Sequence, residues 1–159
     1  MGIGTYMKGQ GATEYLVILA VVLIIALVAI GIVSQTASGS GAAEKTSRAY
    51  WKTEVFPLTI DDYKYSTTEL TLVLNNRGSD TVTILANKIA VTSGTTTVTG
   101  PTAQVTLTPG TTQSVVIIMT ALSCTSGASF SVNASIVYST PTLSSLQIVG
   151  KKPIVGTCS

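Results

Sequence analysis

The alternation of apolar and polar positions changes twice along the chain and divides it into three parts. An uninterrupted apolar run covers residues 15–33 and contains no charge and no Asn, Gln, Ser or Thr. Residues 34–41 are small and polar, and from Glu54 onward apolar residues alternate with polar ones. At about 1.5 Å rise, a run of about 19 helical residues is nearly as long as a bilayer core is thick. The pattern therefore predicts a long apolar helix ahead of a strand-rich head.

The part after Glu54 has the two-residue period of β-strands. Leu70, Leu72 and Leu74 alternate with other residues, and similar runs rich in Val, Ile and Thr recur about every 8–12 residues. Turn signals at residues 75–80 and 108–110 predict hairpins. About seven or eight short strands are typical of a β-sandwich of the immunoglobulin-like kind. The further predicted strands are 82–84, 88–92, 95–98, 104–108, 113–119, 129–138 and 146–149.

The predicted fold class is α+β, a long N-terminal apolar α-helix followed by an all-β, immunoglobulin-like sandwich head. Residues 1–9 are expected to be a leader peptide, residues 10–52 a helix with a weakened joint near 34–41, and residues 53–159 the head. Glycines in the joint disfavour helix. Three aromatic residues either pack at the junction of helix and head or belong to the head core: Tyr50, Trp51 and Phe56.

Composition and charge exclude several classes of function. Charged residues make up only 10% of the chain and the net charge is +2, too small to indicate a nucleic-acid partner. There is no histidine, which removes the commonest general base and nitrogen metal ligand. Asp61-Asp62 lies in a loop or at a strand edge, of which we favour a solvated turn. No phosphate-binding or dinucleotide motif occurs. We therefore expect no enzyme, no cofactor and no metal site.

The residues just before the apolar run indicate a more specific class. Lys8, Gly9 and Gln10 are followed by small residues and then by Glu14, a lone carboxylate at the edge of the run. Such a carboxylate is costly beside a simple membrane anchor, although a position in the first helical turn relieves part of that cost. In order and spacing, residues 8–33 resemble the archaeal type IV pilin-like family with class III signal peptides. The head resembles the Ig-like heads of that family more loosely.

The resemblance implies how the protein is processed and assembled. A membrane peptidase of the prepilin type would cut between Gly9 and Gln10 and leave the apolar helix on the mature subunit. The helix would rest in the membrane and then pack with other copies, and Glu14 would pair with the new amine of Gln10 on a neighbouring copy. The expected assembly residues are Gln10, Glu14, Tyr15, Leu16, Leu19, Leu23 and Leu27.

The implied function is that of a structural subunit of an extracellular pilus-like filament serving adhesion. Its partners would be further copies of itself, the membrane before assembly, the prepilin peptidase and the pilus assembly machinery. Two alternatives stay open: an archaellin, or a β-sandwich binding module anchored by a single membrane helix. Gln10 and Glu14 favour the pilin branch. Lys8, the basic residue before the apolar run, places the head outside the cell in each case.

An extracellular head changes the interpretation of three further features. Cys124 and Cys158 both lie in it, which favours a disulfide closing a loop of about 34 residues. Asn133 opens the single Asn-X-Ser/Thr triplet of the chain and is a candidate glycosylation site if its side chain faces outward. The Thr-rich stretch 92–112 either carries O-linked glycans or reflects strand propensity, and we favour the second interpretation.

Overall fold

The computed structural model describes the backbone of residues 10–36 and 40–159, and the side chains of residues 14–28 and 41–159. The chain divides into two compact units, residues 1–39 and residues 40–159. The first unit contains helix α1 (Gln10–Thr36). The second unit, the head, contains helix α2, a short 3₁₀ helix (Thr120–Leu122) and ten strands. The head elements are α2 (Ser40–Thr53), β1 (Leu58–Tyr65), β2 (Glu69–Asn76), β3 (Val82–Ile84), β4 (Ile89–Ser93), β5 (Thr96–Gly100), β6 (Val105–Leu107), β7 (Thr112–Ile118), β8 (Ser129–Tyr138), β9 (Leu146–Val149) and β10 (Ile154–Thr157).

The predicted fold class is wrong in its helical part. Instead of one long apolar helix before the head, the chain forms α1 and then α2, which is largely polar and belongs to the head unit. In the ranges that the structure describes, no helix is long and apolar enough to cross a membrane.

The β-rich part of the prediction is confirmed as a β-sandwich. One sheet has the strand order β1-β2-β7 and the other β10-β8-β4-β5, and β3 pairs with β6 in a separate ladder. All these pairs are antiparallel. β10 and β9 share one edge of β8, since β10 pairs with residues 129–132 and β9 with residues 135–138. Every predicted strand is present, whereas β1 and β10 were not predicted.

The core lies between the two sheets, where the period-two pattern places one face of each strand. Leu70, Leu72 and Leu74 of β2 are fully buried and form part of the core contributed by the three-stranded sheet. Ile89 of β4 and Ile136 of β8 are fully buried and belong to the other sheet. Burying a side chain of this size stabilises a fold by about 1.5–3 kcal/mol relative to its exposed state. The alternation that predicted the strands therefore also identifies the core.

Helix α2 closes one side of the sandwich, because it packs on β1 and β10, the edge strands of the two sheets. It buries Ser47, Tyr50 and Trp51, whose spacing of three and four residues places them on one helical face. The Ser47 hydroxyl donates to the Pro153 carbonyl at 2.8 Å. Tyr50 and Trp51 thus belong to the head core, whereas Phe56 is 70% exposed and does not.

The two predicted hairpin turns are wrong. Residues 77–81 lead from β2 to β3, and residues 108–111 lead from β6 to β7. In each case the two flanking strands belong to different ladders. Both segments therefore lead the chain from one sheet to another instead of forming hairpins, and we call them the crossings.

Asn76 holds these two crossings together from inside the head, where it is fully buried. Its side-chain amide donates to the carbonyls of Asp80 at 2.8 Å and Leu107 at 3.0 Å. Its side-chain oxygen accepts the N–H of Gly78 at 2.9 Å. A buried polar side chain is tolerated when its hydrogen bonds are made in this way. Asn76 therefore fixes the positions at which the chain leaves one sheet and enters the other.

Candidate functional site

Helix α1 carries an apolar surface that is exposed on all sides. Every side chain described in it, residues 14–28, is exposed. Successive helical residues are about 100° apart, so an uninterrupted apolar run faces every direction. Folded proteins rarely leave so contiguous an apolar surface uncovered. The predicted assembly residues described here are between 43% and 68% exposed: Tyr15, Leu16, Leu19, Leu23 and Leu27.

Glu14 lies at the polar end of this apolar surface and is exposed. Because α1 begins at Gln10, Glu14 comes just after the first turn, where the helix macrodipole favours a carboxylate less than in the first turn itself. The side chain of Gln10, the predicted leader 1–9 and its residues Lys8 and Gly9 lie outside the described part of the chain. The predicted cleavage and pairing of these residues stay predictions.

The predicted disulfide between Cys124 and Cys158 is confirmed, with 6.3 Å between the Cα atoms. It joins the segment after the 3₁₀ helix to the residue after β10. Cys158 is buried, and its N–H donates to the Ala128 carbonyl at 2.9 Å. The bond therefore lies within the packed head and secures β10 next to β8.

Asn133 lies in β8 with its side chain exposed, and its backbone is in register with Thr92 of β4. No charged residue occurs anywhere between Ile89 and Gly150, so the sheet face around Asn133 is neutral. The outward orientation is what glycosylation would require. Modification of Asn133 stays a prediction.

Asp61 and Asp62 lie in the edge strand β1, at a shift of its register with β2. The favoured interpretation as a turn is therefore wrong, whereas the alternative of a strand edge is correct. Asp61 accepts hydrogen bonds of 2.9 Å from the side chains of Thr59 and Asn75. Burial raises the pKa of Asp61, but the hydrogen bonds from Asn75 and Thr59 and the charges of Arg77 and Lys52 outweigh it and lower the pKa overall. Asp61 is therefore a structural carboxylate.

Arg48 uses the second carboxylate of this pair to join α2 to β1. Its guanidinium forms ion pairs with Asp62 and, at 2.9 Å, with Glu44. The same group lies over the Tyr63 ring, 4.3 Å from its centroid. Partly exposed contacts of this kind are each worth on the order of 0.5 kcal/mol. The acidic pair thus contributes to the packing of the helix on the sheet.

A groove at one end of the head was not predicted from the sequence. Three segments line it: residues 56–57, residues 78–82 and residues 138–146. They are far apart in the chain, and no local pattern indicates that they meet. Phe56 was the one visible signal, and its aromatic ring was expected to be packed away.

Among the residues that the structure describes, no group of three or more His, Cys, Asp or Glu side chains could hold a metal ion. The sequence matches no protein-family model, and it matches no curated protein.

Proposed function

We propose that the protein is the structural subunit of an extracellular, type IV pilus-like filament that serves surface adhesion. One observation carries the proposal: the apolar side chains described in α1 are exposed on every side of the helix. The order of Lys8, Gly9, Gln10 and Glu14 supports it. The disulfide-bonded β-sandwich fits an oxidising environment outside the cell.

The physical basis of assembly is the burial of α1 against copies of itself. Because lipid tails are as apolar as Leu, Val or Ile, a helix that leaves the membrane for such a bundle gains van der Waals packing between helices rather than transfer out of water. A helix that packs against one partner needs only one apolar face. A helix that several copies surround needs apolar residues on every side. Contacts between unlike surfaces of identical subunits do not close on themselves and so produce a filament.

Glu14 has a distinct role in this proposal. Cleavage between Gly9 and Gln10 by a prepilin peptidase creates a new amine at Gln10. In a bundle of apolar helices that amine needs an anionic partner, because an unpaired buried charge is expensive. The Glu14 carboxylate of a neighbouring copy supplies it and fixes the axial position of one helix against the next.

N-terminal sequencing and electron microscopy of the native product test the proposal together. The expected product begins at Gln10 and forms filaments. Glu14→Ala should abolish filaments while the amount of processed subunit is unchanged. Glu54→Ala removes an exposed carboxylate of the head and should leave assembly intact. A product that begins near Met1, or full assembly by Glu14→Ala, would refute the proposal.

A further inference from the structure

The groove at one end of the head has a volume of about 380 Å³, within the range of about 300–1,000 Å³ common for small-molecule sites. Its walls are the loop between α2 and β1, the crossing between β2 and β3, and the end of β8 with the loop that follows. Phe56 and Leu143 line it and are 70% and 59% exposed. Two large apolar side chains thus border one concave surface.

Hydrogen bonds fix the walls of the groove. The N–H of Arg77 donates to the Pro57 carbonyl at 2.8 Å and joins two of the walls. Asn76 holds the same crossing from inside the head. On the opposite wall the N–H of Thr140 donates to the Leu143 carbonyl at 2.8 Å, and the N–H of Leu143 donates to Thr140 Oγ1 at 3.1 Å. Sites on loops held by a rigid scaffold are well suited to binding, since little freedom is lost when a ligand arrives.

The polar side chains of the groove all present oxygen atoms. They are hydroxyls, including those of Ser79 and Thr142, and the carboxylate of Asp80, and none of the lining residues is Lys or Arg. Asp80 is exposed, and in the described part of the chain it forms no ion pair. Oxygen acceptors beside an open aromatic ring suit a ligand with a rim of hydroxyl donors and an apolar face. An anionic ligand would be repelled by Asp80, and a purely apolar ligand would desolvate it without a partner.

We propose that this groove binds a neutral sugar residue, with the C–H face of the sugar on the Phe56 ring and its hydroxyls on Asp80. The proposal relies on the proposed function only for its biological meaning, namely that the filament adheres through a glycan. Within the head, α2 leads from Ser40 to Thr53 over roughly 20 Å and ends three residues before Phe56. Assembly through α1 and sugar binding would therefore use different parts of the chain.

Saturation-transfer NMR and titration of the full chain, in a detergent without a sugar headgroup, test this site. The probes are the methyl glycosides of glucose, galactose, mannose and N-acetylglucosamine at millimolar concentration. At least one should bind. Phe56→Ala should weaken its binding at least about tenfold by removing the stacking surface, and Asp80→Asn should weaken it several-fold by removing charge-assisted hydrogen bonds. Val149→Ala, which changes an exposed apolar residue outside the groove, should leave binding unchanged.

Two results would overturn the proposal: no binding of any of the four glycosides by the wild-type chain, or equal binding by wild type and Phe56→Ala. Tetramethylammonium is the fifth probe, because an aromatic ring beside a carboxylate also suits a cation. Binding of that ion without binding of any glycoside would show a cation site and equally refute the sugar site. A wild-type chain that binds a glycoside but forms no filaments would refute the filament proposal and leave the sugar site standing.

Discussion

Gly150 lies against the indole ring of Trp51, so closely that a Cβ atom at Gly150 would stand 2.2 Å from Trp51 Cζ2. Trp51 is fully buried on α2, and Gly150 follows directly after β9. The backbone of Gly150 is itself held in place, since its N–H donates to the Ala134 carbonyl at 3.0 Å. The absence of a side chain at Gly150 is therefore a condition for docking the helix on the sandwich.

Gly150→Ala should lower the free energy of unfolding by about 1–3 kcal/mol, because the added methyl group overpacks the site around Trp51. Urea unfolding followed by tryptophan fluorescence measures the change. Gly41→Ala is the matched control, since a Cβ there meets nothing within 4 Å. That control should be neutral or stabilising by up to about 1 kcal/mol, because Ala favours helix over Gly. Equal stability of the two variants would contradict the packing argument.

Replacing Cys124 and Cys158 together by serine should lower the free energy of unfolding by about 3–4 kcal/mol, the chain-entropy estimate for a loop of this length. The two residues are 34 positions apart. Thermal unfolding with and without a reducing agent provides the measurement. The reductant should lower the Tm of the wild type and leave that of the double variant unchanged. A reductant effect of the same size in both would show that it does not act through this bond.

Asn76→Ala should destabilise the head by at least about 2 kcal/mol, because it removes three hydrogen bonds of a fully buried side chain, among them the buried bond to the Leu107 carbonyl. Asn75→Ala provides the comparison. Asn75 is only half-buried, and its side-chain amide donates to Asp61, so its loss should cost less. Chemical unfolding of both variants decides the matter, and the opposite ranking would show that Asn76 does not hold the crossings.

The stability of the head should depend on Asp61 at acid pH. The folded-state pKa of Asp61 is lowered, chiefly because the hydrogen bonds from Asn75 and Thr59 outweigh the effect of burial. A lowered folded-state pKa stabilises the fold above the unfolded pKa, and this contribution is lost as the pH falls through the folded pKa. Wild type should therefore lose stability below about pH 4 more steeply than Asp61→Asn. Unfolding free energies measured from about pH 7 to pH 2 test this, and parallel profiles would exclude a role for Asp61.

Most strands could be predicted because each shows one face to the core. In β2 the leucines at alternate positions are all buried, so sequence period and burial coincide. β1 escaped prediction because its register shifts next to Asp61 and residues 58–60 are buried in succession. In a strand with a bulge and two central carboxylates, apolar and polar residues do not alternate. The adjacent carboxylates then make the sequence look like that of a turn.

The crossings and the packing of α2 on the head could not be predicted, because both depend on contacts between distant residues. A turn sequence indicates that the chain reverses, but the ladder that the next strand joins is decided by pairings such as Val82 with Leu107. The polar helix α2 belongs to the head because Ser47, Tyr50 and Trp51 fit against the edge strands. Local composition contains neither fact, and residues 42–52 were therefore assigned to the N-terminal helix beyond its weakened joint near 34–41 rather than to the head.

The disulfide has a mechanical consequence. A pull on the head at Ser40 would load α2 and then both β1, which follows α2 in the chain, and β10, on which α2 also packs. Four residue pairs align β10 with β8, and their hydrogen bonds could rupture one after another under tension. The Cys124–Cys158 bond acts in parallel with them as a covalent tether at the end of β10. Under shear at a surface, the strand could stretch away from its neighbour only as far as that tether allows, and it would re-form the same register when the load is released.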